Sequence, residues 1–267
     1  MEESPQMTRF HFGTMGFGYS DWADVFYPPG SKPGDYLQHY ARHFDTVELD
    51  TTFHATPPVD RVRRWADITP PHFRFAAKVP RAVTHEGAID RRLPEMGAFV
   101  DVMRAFGDKL AVLLIQLAPS FGIDQFDALE RFLRELPNDV RFAVEFRNNS
   151  WGQQRTLDLL HETRCALVTA EYVTRPRQIL TTTDFLYVRW IGEHQRFKEL
   201  NREQVDMGES LAWWKDQIAS VADKVHTTWG FFNNDFSGYS VATCNRFKAL
   251  IGEPVHEPPA IPGGLFG

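Results

Sequence analysis

The chain has 267 residues, of which 43% are hydrophobic and 24% charged, and its formal net charge is −6. This length suits one large globular domain or two small ones, and the composition is that of an ordinary soluble protein. The acidic balance argues against an extended nucleic-acid-binding surface, but a local cationic pocket remains compatible with it. The sequence contains neither a run of 18 apolar residues nor a signal-peptide core, so we expect a cytoplasmic protein without membrane contact.

The two cysteines, Cys165 and Cys244, lie far apart in apolar or helical contexts. No CxxC spacing and no histidine cluster stands near either of them. We therefore expect both to be reduced side chains that serve packing. The 22 phenylalanines and 7 tryptophans predict a large, well-filled core.

Short apolar stretches alternate along the chain with segments of helical periodicity. The strand patterns occupy residues 9–14, 45–50, 73–78, 111–116, 140–146, 165–170, 184–190 and 226–232. The helical patterns occupy residues 34–44, 58–66, 92–106, 124–136, 152–162, 209–224 and 237–251, and a less regular link joins the sixth and seventh strands. We expect Asp124 to cap its helix.

Regular alternation of strand and helix predicts a parallel sheet, and eight such units in this length favour closure into a barrel. The predicted fold class is therefore α/β, with a single (β/α)8 TIM-barrel-like domain over residues 9–251. Residues 1–8 would form a flexible N-terminus, and residues 252–267 an irregular tail rich in proline and glycine.

The fifth strand shows the pattern of a barrel strand most clearly. Phe142, Val144 and Phe146 lie on one face, whereas Ala143 and Glu145 lie on the other. Bulky groups on one side suit packing beneath helices, and a small residue on the other suits the crowded interior. The charged end of the strand then emerges at the C-terminal mouth, where TIM-barrel active sites lie.

Other strands end in polar side chains in the same way. They are Glu48 and Asp50 (second strand), Lys78 (third), Gln116 (fourth), Glu145 and Arg147 (fifth), Glu171 (sixth), Arg189 (seventh), and Asn233 and Asn234 (eighth). Charges buried at a barrel mouth cost stability unless they are paired, so unpaired ones are expected to serve a function. We therefore expect these ends to form one functional site.

The residue types indicate acid/base chemistry on a small anion. Glu145 and Glu48 are the predicted general acid/base pair, and Lys78 is the third predicted catalytic group. Lys78, Arg147 and Arg189 suit a carboxylate or phosphate group, and the amides suit sugar hydroxyls or amides. The predicted substrate-binding set is Arg147, Arg189, Gln116, Asn233, Asn234, Asp50, His85, Tyr19 and Trp22.

A metal site is a second interpretation of the same residues. Glu48, Asp50, Glu145, His54 and His85 carry oxygen and nitrogen donors that could bind a divalent cation. No HxH or HExxH spacing accompanies them, and the nearby cations would repel a metal. We therefore predict no metal ligands, and the identity of any cofactor stays open.

With these residues assembled, the chain resembles the domain-of-unknown-function 72 (YecE-like) family over nearly its whole length. The matching stretches are GTMGFGYSDWADVFYPPG, YARHFDTVELDTTFHATP, FRFAAKVPRAVTH, LLIQLAPSF, FAVEFRNNSW, YVRWIG and FFNNDFSGYSVATCN. The resemblance implies a TIM-barrel-like fold but supplies no reaction. Where the family pattern has a tyrosine and two histidines at the mouth, this chain has His54, Asn148 and Ile191.

Three functions follow from the sequence. The favoured one is an enzyme that uses carboxylate acid/base groups on a small anionic substrate, sugar-like or nucleotide-like. A metal-dependent hydrolase or phosphoesterase is the second. The third is a non-catalytic module that binds a ligand or a protein partner, which the replaced mouth histidines would allow.

Overall fold

The computed structural model describes residues 8–172 and 177–256, and within them eight parallel strands close into a barrel. Each strand pairs with its neighbours in chain order, and β8 pairs with β1. The strands are β1 Arg9–Met15, β2 Thr46–Leu49, β3 Arg74–Lys78, β4 Leu110–Gln116, β5 Phe142–Glu145, β6 Cys165–Glu171, β7 Phe185–Trp190 and β8 Thr227–Phe232. The predicted (β/α)8 fold is confirmed, as is the position of each strand.

Helices surround the barrel. They are α1 Tyr36–Tyr40, α2 Val59–Asp67, α3 Arg81–Thr84, α4 Leu93–Met103, α5 Phe126–Arg134, α6 Gln154–Glu162, α7 Gly208–Ala219, α8 Asn234–Ser237 and α9 Ser240–Leu250. Short 3-10 turns occur at Ser20–Trp22, Thr51–Phe53, Ile89–Arg91, Arg104–Lys109, Ile123–Gln125 and Asn149–Trp151.

Two details of the predicted helices are wrong. Asp124 lies in the 3-10 turn Ile123–Gln125, and α5 begins after it at Phe126 without a side-chain cap. The segment predicted as one helix over residues 237–251 is interrupted by Gly238, whose φ of 107° lies in the left-handed region. That conformation suits glycine and ends α8 before α9 begins.

The barrel separates two hydrophobic layers. Phe142, Val144 and Phe146 pack on the outside beneath the helices, as predicted. Ala143 and Ala76 lie inside the barrel, where they pack with larger inward side chains from other strands. These larger side chains are Met15, Val112, Leu114, Tyr187, Trp229 and Phe231. Small residues on some strands therefore leave room for bulky ones on others.

The same alternation carries polar side chains to the mouth. Lys78 continues the inward face of Ala76, and Glu145 continues that of Ala143. On β7, Arg189 lies two residues beyond the inward Tyr187. The apolar interior therefore ends at one level, and a layer of charged groups begins above it.

The remaining sequence expectations have mixed outcomes. Cys165 and Cys244 are both buried and unbonded, as predicted, and burial raises the pKa of each thiol. Within the described residues, the helices are all too short or too polar to cross a membrane. Most of the predicted N-terminus and tail, residues 1–7 and 257–267, lies outside the described residues.

Candidate active site at the barrel mouth

The C-terminal ends of the strands surround a cavity of about 530 Å³. The structure brings most of the predicted site residues to its wall, namely Tyr19, Asp50, Lys78, His85, Gln116, Arg147, Arg189, Asn233 and Asn234. Glu48, Glu145 and Trp22 do not line it. The cavity lies where active sites of this fold occur.

Beneath the cavity, Arg189 binds Glu48 in a bidentate ion pair. Its Nε donates to Glu48 Oε2 at 3.0 Å, and its Nη2 donates to Oε1 at 2.6 Å. The hydroxyl of Tyr187 donates a further hydrogen bond of 2.7 Å to Oε2. Glu48 is 0% exposed, so these donors replace the water that the carboxylate loses on folding.

Glu145 accepts contacts from three side chains on the opposite side of Arg189. Arg189 Nη1 donates to its Oε2 at 2.5 Å, and Gln116 Nε2 donates to its Oε1 at 3.1 Å. The Nε atom of Arg147 forms an ion pair with the same Oε1. Because Glu145 is only 2% exposed, it too depends on protein donors.

The two carboxylates differ in their acidity. Burial raises the pKa of Glu48, despite the opposing charge of Arg189. Burial would also raise the pKa of Glu145, but Arg189 and Arg147 together outweigh it and lower the value to about 2. Neither carboxylate lines the mouth cavity, although Glu145 lines a neighbouring cavity of about 590 Å³ together with Arg147 and Tyr172. The contacts favour a role in holding Arg189 and Arg147 over direct acid/base contact with a ligand in the mouth cavity.

Lys78 lines the cavity, and its ammonium has no hydrogen-bond partner within the described part of the chain. Its residue is 9% exposed, and its Nζ lies 4.0 Å from the centre of the Phe53 ring. The nearest carboxylate oxygen, Asp50 Oδ1, is 3.7 Å away, which is an ion pair but not a hydrogen bond. Burial and the charge of Arg189 lower the pKa of Lys78, although Asp50 opposes them.

Arg147 also lines the cavity. Its Nε contacts Glu145, and its guanidinium lies 4.8 Å from the centre of the Tyr172 ring. Within residues 8–172 and 177–256, its two terminal nitrogens have no hydrogen-bond partner. A guanidinium that is held by an ion pair and a ring and whose two terminal nitrogens make no other hydrogen bond in the described chain suits a carboxylate or phosphate.

His85 lies at the cavity wall between these cations. Its Nδ1 is 2.8 Å from the Thr84 hydroxyl. Burial and then the charges of Lys78, Arg81 and Arg147 lower its pKa, so the ring is neutral at neutral pH. A neutral imidazole can donate a hydrogen bond at one nitrogen and accept one at the other.

The predicted amides behave differently from one another. Gln116 is engaged with Glu145, and the Asn233 carbonyl accepts the backbone N–H of Asp235 at 2.9 Å. Asn234 accepts two hydrogen bonds from Ser240, but its amide nitrogen is buried without a partner in the described chain.

The two predicted aromatic walls also differ. Tyr19 lines the cavity and donates its hydroxyl to the carbonyl of Met15 at 2.5 Å. Trp22 is fully buried, and its ring packs against Tyr19 at a centroid distance of 4.7 Å and against Phe26 at 5.7 Å. Trp22 therefore supports the wall without touching the cavity.

Glu171 faces away from the mouth. Its Oε2 accepts hydrogen bonds from Ser210 at 2.6 Å and from the indole of Trp214, both on α7 outside the barrel. The alternation of side chains along β6 explains this position. Ala170 pairs with the inward Arg189, so the next residue, Glu171, pairs with Trp190 and points outward like it. The expectation that this strand contributes a mouth carboxylate is wrong.

Sequence reasoning missed several residues of the site. Tyr172 and His194 line the cavity from loops, where no periodic pattern predicts the direction of a side chain, and Asp235 lines it from the short helix α8. Tyr187 hydrogen-bonds Glu48, and Met15 Sδ lies 3.3 Å from Arg189 Nη2. The parity of β7 could have identified Tyr187, because it lies two residues before Arg189 and so on the same face.

The mouth does not offer a set of metal ligands. Across residues 8–172 and 177–256, no three histidine, cysteine, aspartate or glutamate side chains meet in a group that could hold a metal ion. Glu48 and Glu145 are held by arginine, and the exposed His54 does not line the cavity. The donors present therefore do not fit the metal-dependent interpretation.

Comparison with known proteins identifies relatives along most of the chain. Residues 11–263 match the family model described as "Protein of unknown function DUF72". The chain is 27% identical over 230 residues to UPF0759 protein YecE of Escherichia coli strain K12, covering 72% of this chain and 84% of that protein. It is 33% identical over 143 residues to UPF0759 protein YunF of Bacillus subtilis, covering 50% and 51%.

Solved structures of DUF72 family proteins have a similar fold. A DUF72 family protein from Thermotoga maritima has a TM-score of 0.78 and 26% identity, covering 92% of this chain and 100% of that one. A DUF72 family protein from Enterococcus faecalis has a TM-score of 0.74 at 20% identity, covering 93% and 100%, which shows the fold alone. By the extent of the family match, this chain belongs to the DUF72 family.

Proposed function

We propose that this protein is an enzyme that binds a small anionic molecule in the mouth cavity and acts on it with Lys78. One observation carries the proposal. Lys78 and Arg147 present charged nitrogens to the same cavity, and these nitrogens have no hydrogen-bond partner in the described chain. A structural ion pair would use its donors, as Arg189 does with Glu48 and Glu145.

The charge of the wall supports an anionic ligand. The cavity is lined by two arginines, one lysine and two carboxylates, and one of the arginines, Arg189, is already bound to Glu48 and Glu145. The buried carboxylates Glu48 and Glu145 hold two arginines rigidly, which prepares Arg147 to receive an anion without reorganisation. The amide of Asn234 and the ring of His85 supply neutral donors for hydroxyl or carbonyl oxygens.

Size limits the ligand. A volume of about 530 Å³ is in the range of small-molecule sites and accommodates a metabolite with one anionic group and a few polar substituents. A sugar phosphate, a nucleotide or an organic acid each satisfies these conditions. The proposed roles are anion binding for Arg147 and Lys78, and proton transfer for Lys78 with Asp50 and His85.

Thermal unfolding tests the proposal. Wild type is scanned with inorganic phosphate, phosphorylated sugars, nucleotides and organic acids, each with and without EDTA. A ligand at 100 times its Kd should stabilise the fold by about 2.7 kcal/mol. We expect one anion class to raise the unfolding midpoint, with EDTA making no difference.

The variant Lys78→Met should lose the rise in midpoint. The matched control is Lys248→Met, because Lys248 is 7% exposed and lies over the Phe44 ring at 5.6 Å, outside the mouth. Lys248→Met should keep the ligand-induced rise. An equal response in both variants, or no response to any anion in wild type, would contradict the proposal.

A further inference from the structure

Lys78 has the surroundings of an amine nucleophile. Its ammonium is packed over Phe53, is largely removed from water, and donates no hydrogen bond within residues 8–172 and 177–256. Burial and the charge of Arg189 lower its pKa, which increases the neutral fraction of the amine. A lysine that served only as a counter-ion would be expected to hydrogen-bond its carboxylate.

Asp50 is placed to exchange a proton with this amine. Its Oδ1 lies 3.7 Å from Lys78 Nζ, is inaccessible to water, and has no hydrogen-bond partner in the described chain. A carboxylate oxygen with an unused lone pair beside an amine can accept the proton that the amine must lose. Arg189 Nη2 lies 3.9 Å from the same oxygen.

We propose that Lys78 forms an imine with the carbonyl carbon of a small oxo acid whose carboxylate binds Arg147. This inference rests on the proposed anion-binding function and narrows its substrate class. Lys78, Arg147 and His85 all line the mouth cavity. An oxo acid carries a carbonyl carbon and a carboxylate side by side, and so can engage both cations together.

The step balances without an oxidant or reductant. Asp50 takes a proton from the ammonium, and the nitrogen lone pair attacks the carbonyl carbon. A C–N bond forms while the carbonyl π electrons pass to oxygen, and one of the two protons left on nitrogen moves to that oxygen to give a carbinolamine. The last proton on nitrogen passes to the departing hydroxyl, which leaves as water, and a C=N bond replaces C=O.

Reductive trapping tests the imine. Wild type is incubated with pyruvate, glyoxylate or 2-oxoglutarate, reduced with sodium borohydride, and mapped by peptide mass spectrometry. We expect one of these acids to label Lys78 before any other lysine, including Lys248. Labelling of Lys78 no faster than that of Lys248 by all three acids would overturn the proposal.

Two variants keep the amine and alter its surroundings. In Arg147→Lys, labelling of Lys78 by the oxo acid should slow, whereas labelling by acetaldehyde, which lacks a carboxylate, should be unchanged. In Asp50→Asn, both labelling reactions should slow while the oxo acid still raises the unfolding midpoint. If Arg147→Lys affects acetaldehyde as strongly as the oxo acid, Arg147 does not bind the carboxylate.

The two proposals fail separately. If oxo acids or phosphate raise the midpoint through Lys78 but no adduct is trapped, the imine is wrong and anion binding stands. If neither a Lys78-dependent shift nor an adduct is found, both proposals are wrong.

Discussion

Replacing Arg189 by methionine removes the charge that compensates two buried carboxylates. Glu48 and Glu145 both lie within 2.6 Å of Arg189 nitrogens, and Arg189 itself is 2% exposed. Removing one partner of a buried ion pair typically costs about 3–5 kcal/mol, because the remaining charge stays buried. For a chain of this size, at roughly 2 °C per kcal/mol, Arg189→Met should lower the unfolding midpoint by about 6–10 °C.

The stability lost in Arg189→Met should depend on pH, and the pKa shifts of the buried carboxylates give the direction of that dependence. In wild type the folded pKa of Glu145 is about 2, below its unfolded value, so its stabilisation is present above about pH 4.5 and falls as the pH drops toward 2. In Arg189→Met, the pKa of Glu48, which burial already raises, should rise further, because Arg189 is the cation that pairs with it. The resulting penalty is then present at neutral pH and is relieved as the carboxylate is protonated. The difference in unfolding midpoint between wild type and Arg189→Met should therefore shrink on acidification from pH 7 to pH 4.

Thermal or urea unfolding at pH 7 and pH 4 measures both effects. The matched control is Arg104→Met, because Arg104 also pairs with two carboxylates, Asp101 and Asp139, each at 2.7 Å, but on the exposed surface. Exposed ion pairs contribute little, so this variant should unfold close to wild type at both pH values. Equal midpoints for Arg189→Met and Arg104→Met, or a pH-independent loss in Arg189→Met, would refute the reasoning.

Three further changes have defined outcomes in unfolding experiments. Tyr187→Phe removes the 2.7 Å hydrogen bond to Glu48 and should cost roughly 1.5–3 kcal/mol, whereas a cost near zero would show that water replaces the hydroxyl. Gly192→Ala places a Cβ 2.2 Å from the carbonyl oxygen of Asp235 at a φ of 75°, so the midpoint should fall, and an unchanged midpoint would be inconsistent with that contact. Lys78→Met should leave stability unchanged or higher, because a buried ammonium without hydrogen bonds costs free energy, and clear destabilisation would instead indicate a structural ion pair.

The fold was predictable because outward and inward side chains alternate visibly within individual strands. Phe142, Val144 and Phe146 on one face, with Ala143 on the other, distinguish the outside of the barrel from its interior. Repeated over eight strands, this pattern leaves a closed parallel sheet as the simplest arrangement. Helix ends were less predictable, because Gly238 and the turn at Ile123–Gln125 depend on local backbone geometry.

The residues of the site were predictable from the sequence, but the ion pairs that they form with one another were not. Strand ends placed Glu48, Lys78, Glu145 and Arg189 at one mouth, and the structure brings them together. Arg189 lies 141 residues from Glu48 and 44 residues from Glu145 in sequence, so its binding of both glutamates depends on closure of the barrel. Residues from loops, such as Tyr172, carry no period and could not be assigned from sequence.

Electron density for a bound anion tests the central claim most directly. Crystals grown without phosphate, sulfate or carboxylate buffers are soaked with inorganic phosphate or pyruvate and compared with unsoaked crystals. The account predicts density in the mouth cavity within hydrogen-bond distance of Lys78 Nζ and the terminal nitrogens of Arg147. An empty mouth with either anion, or density only at exposed arginines elsewhere, would contradict it.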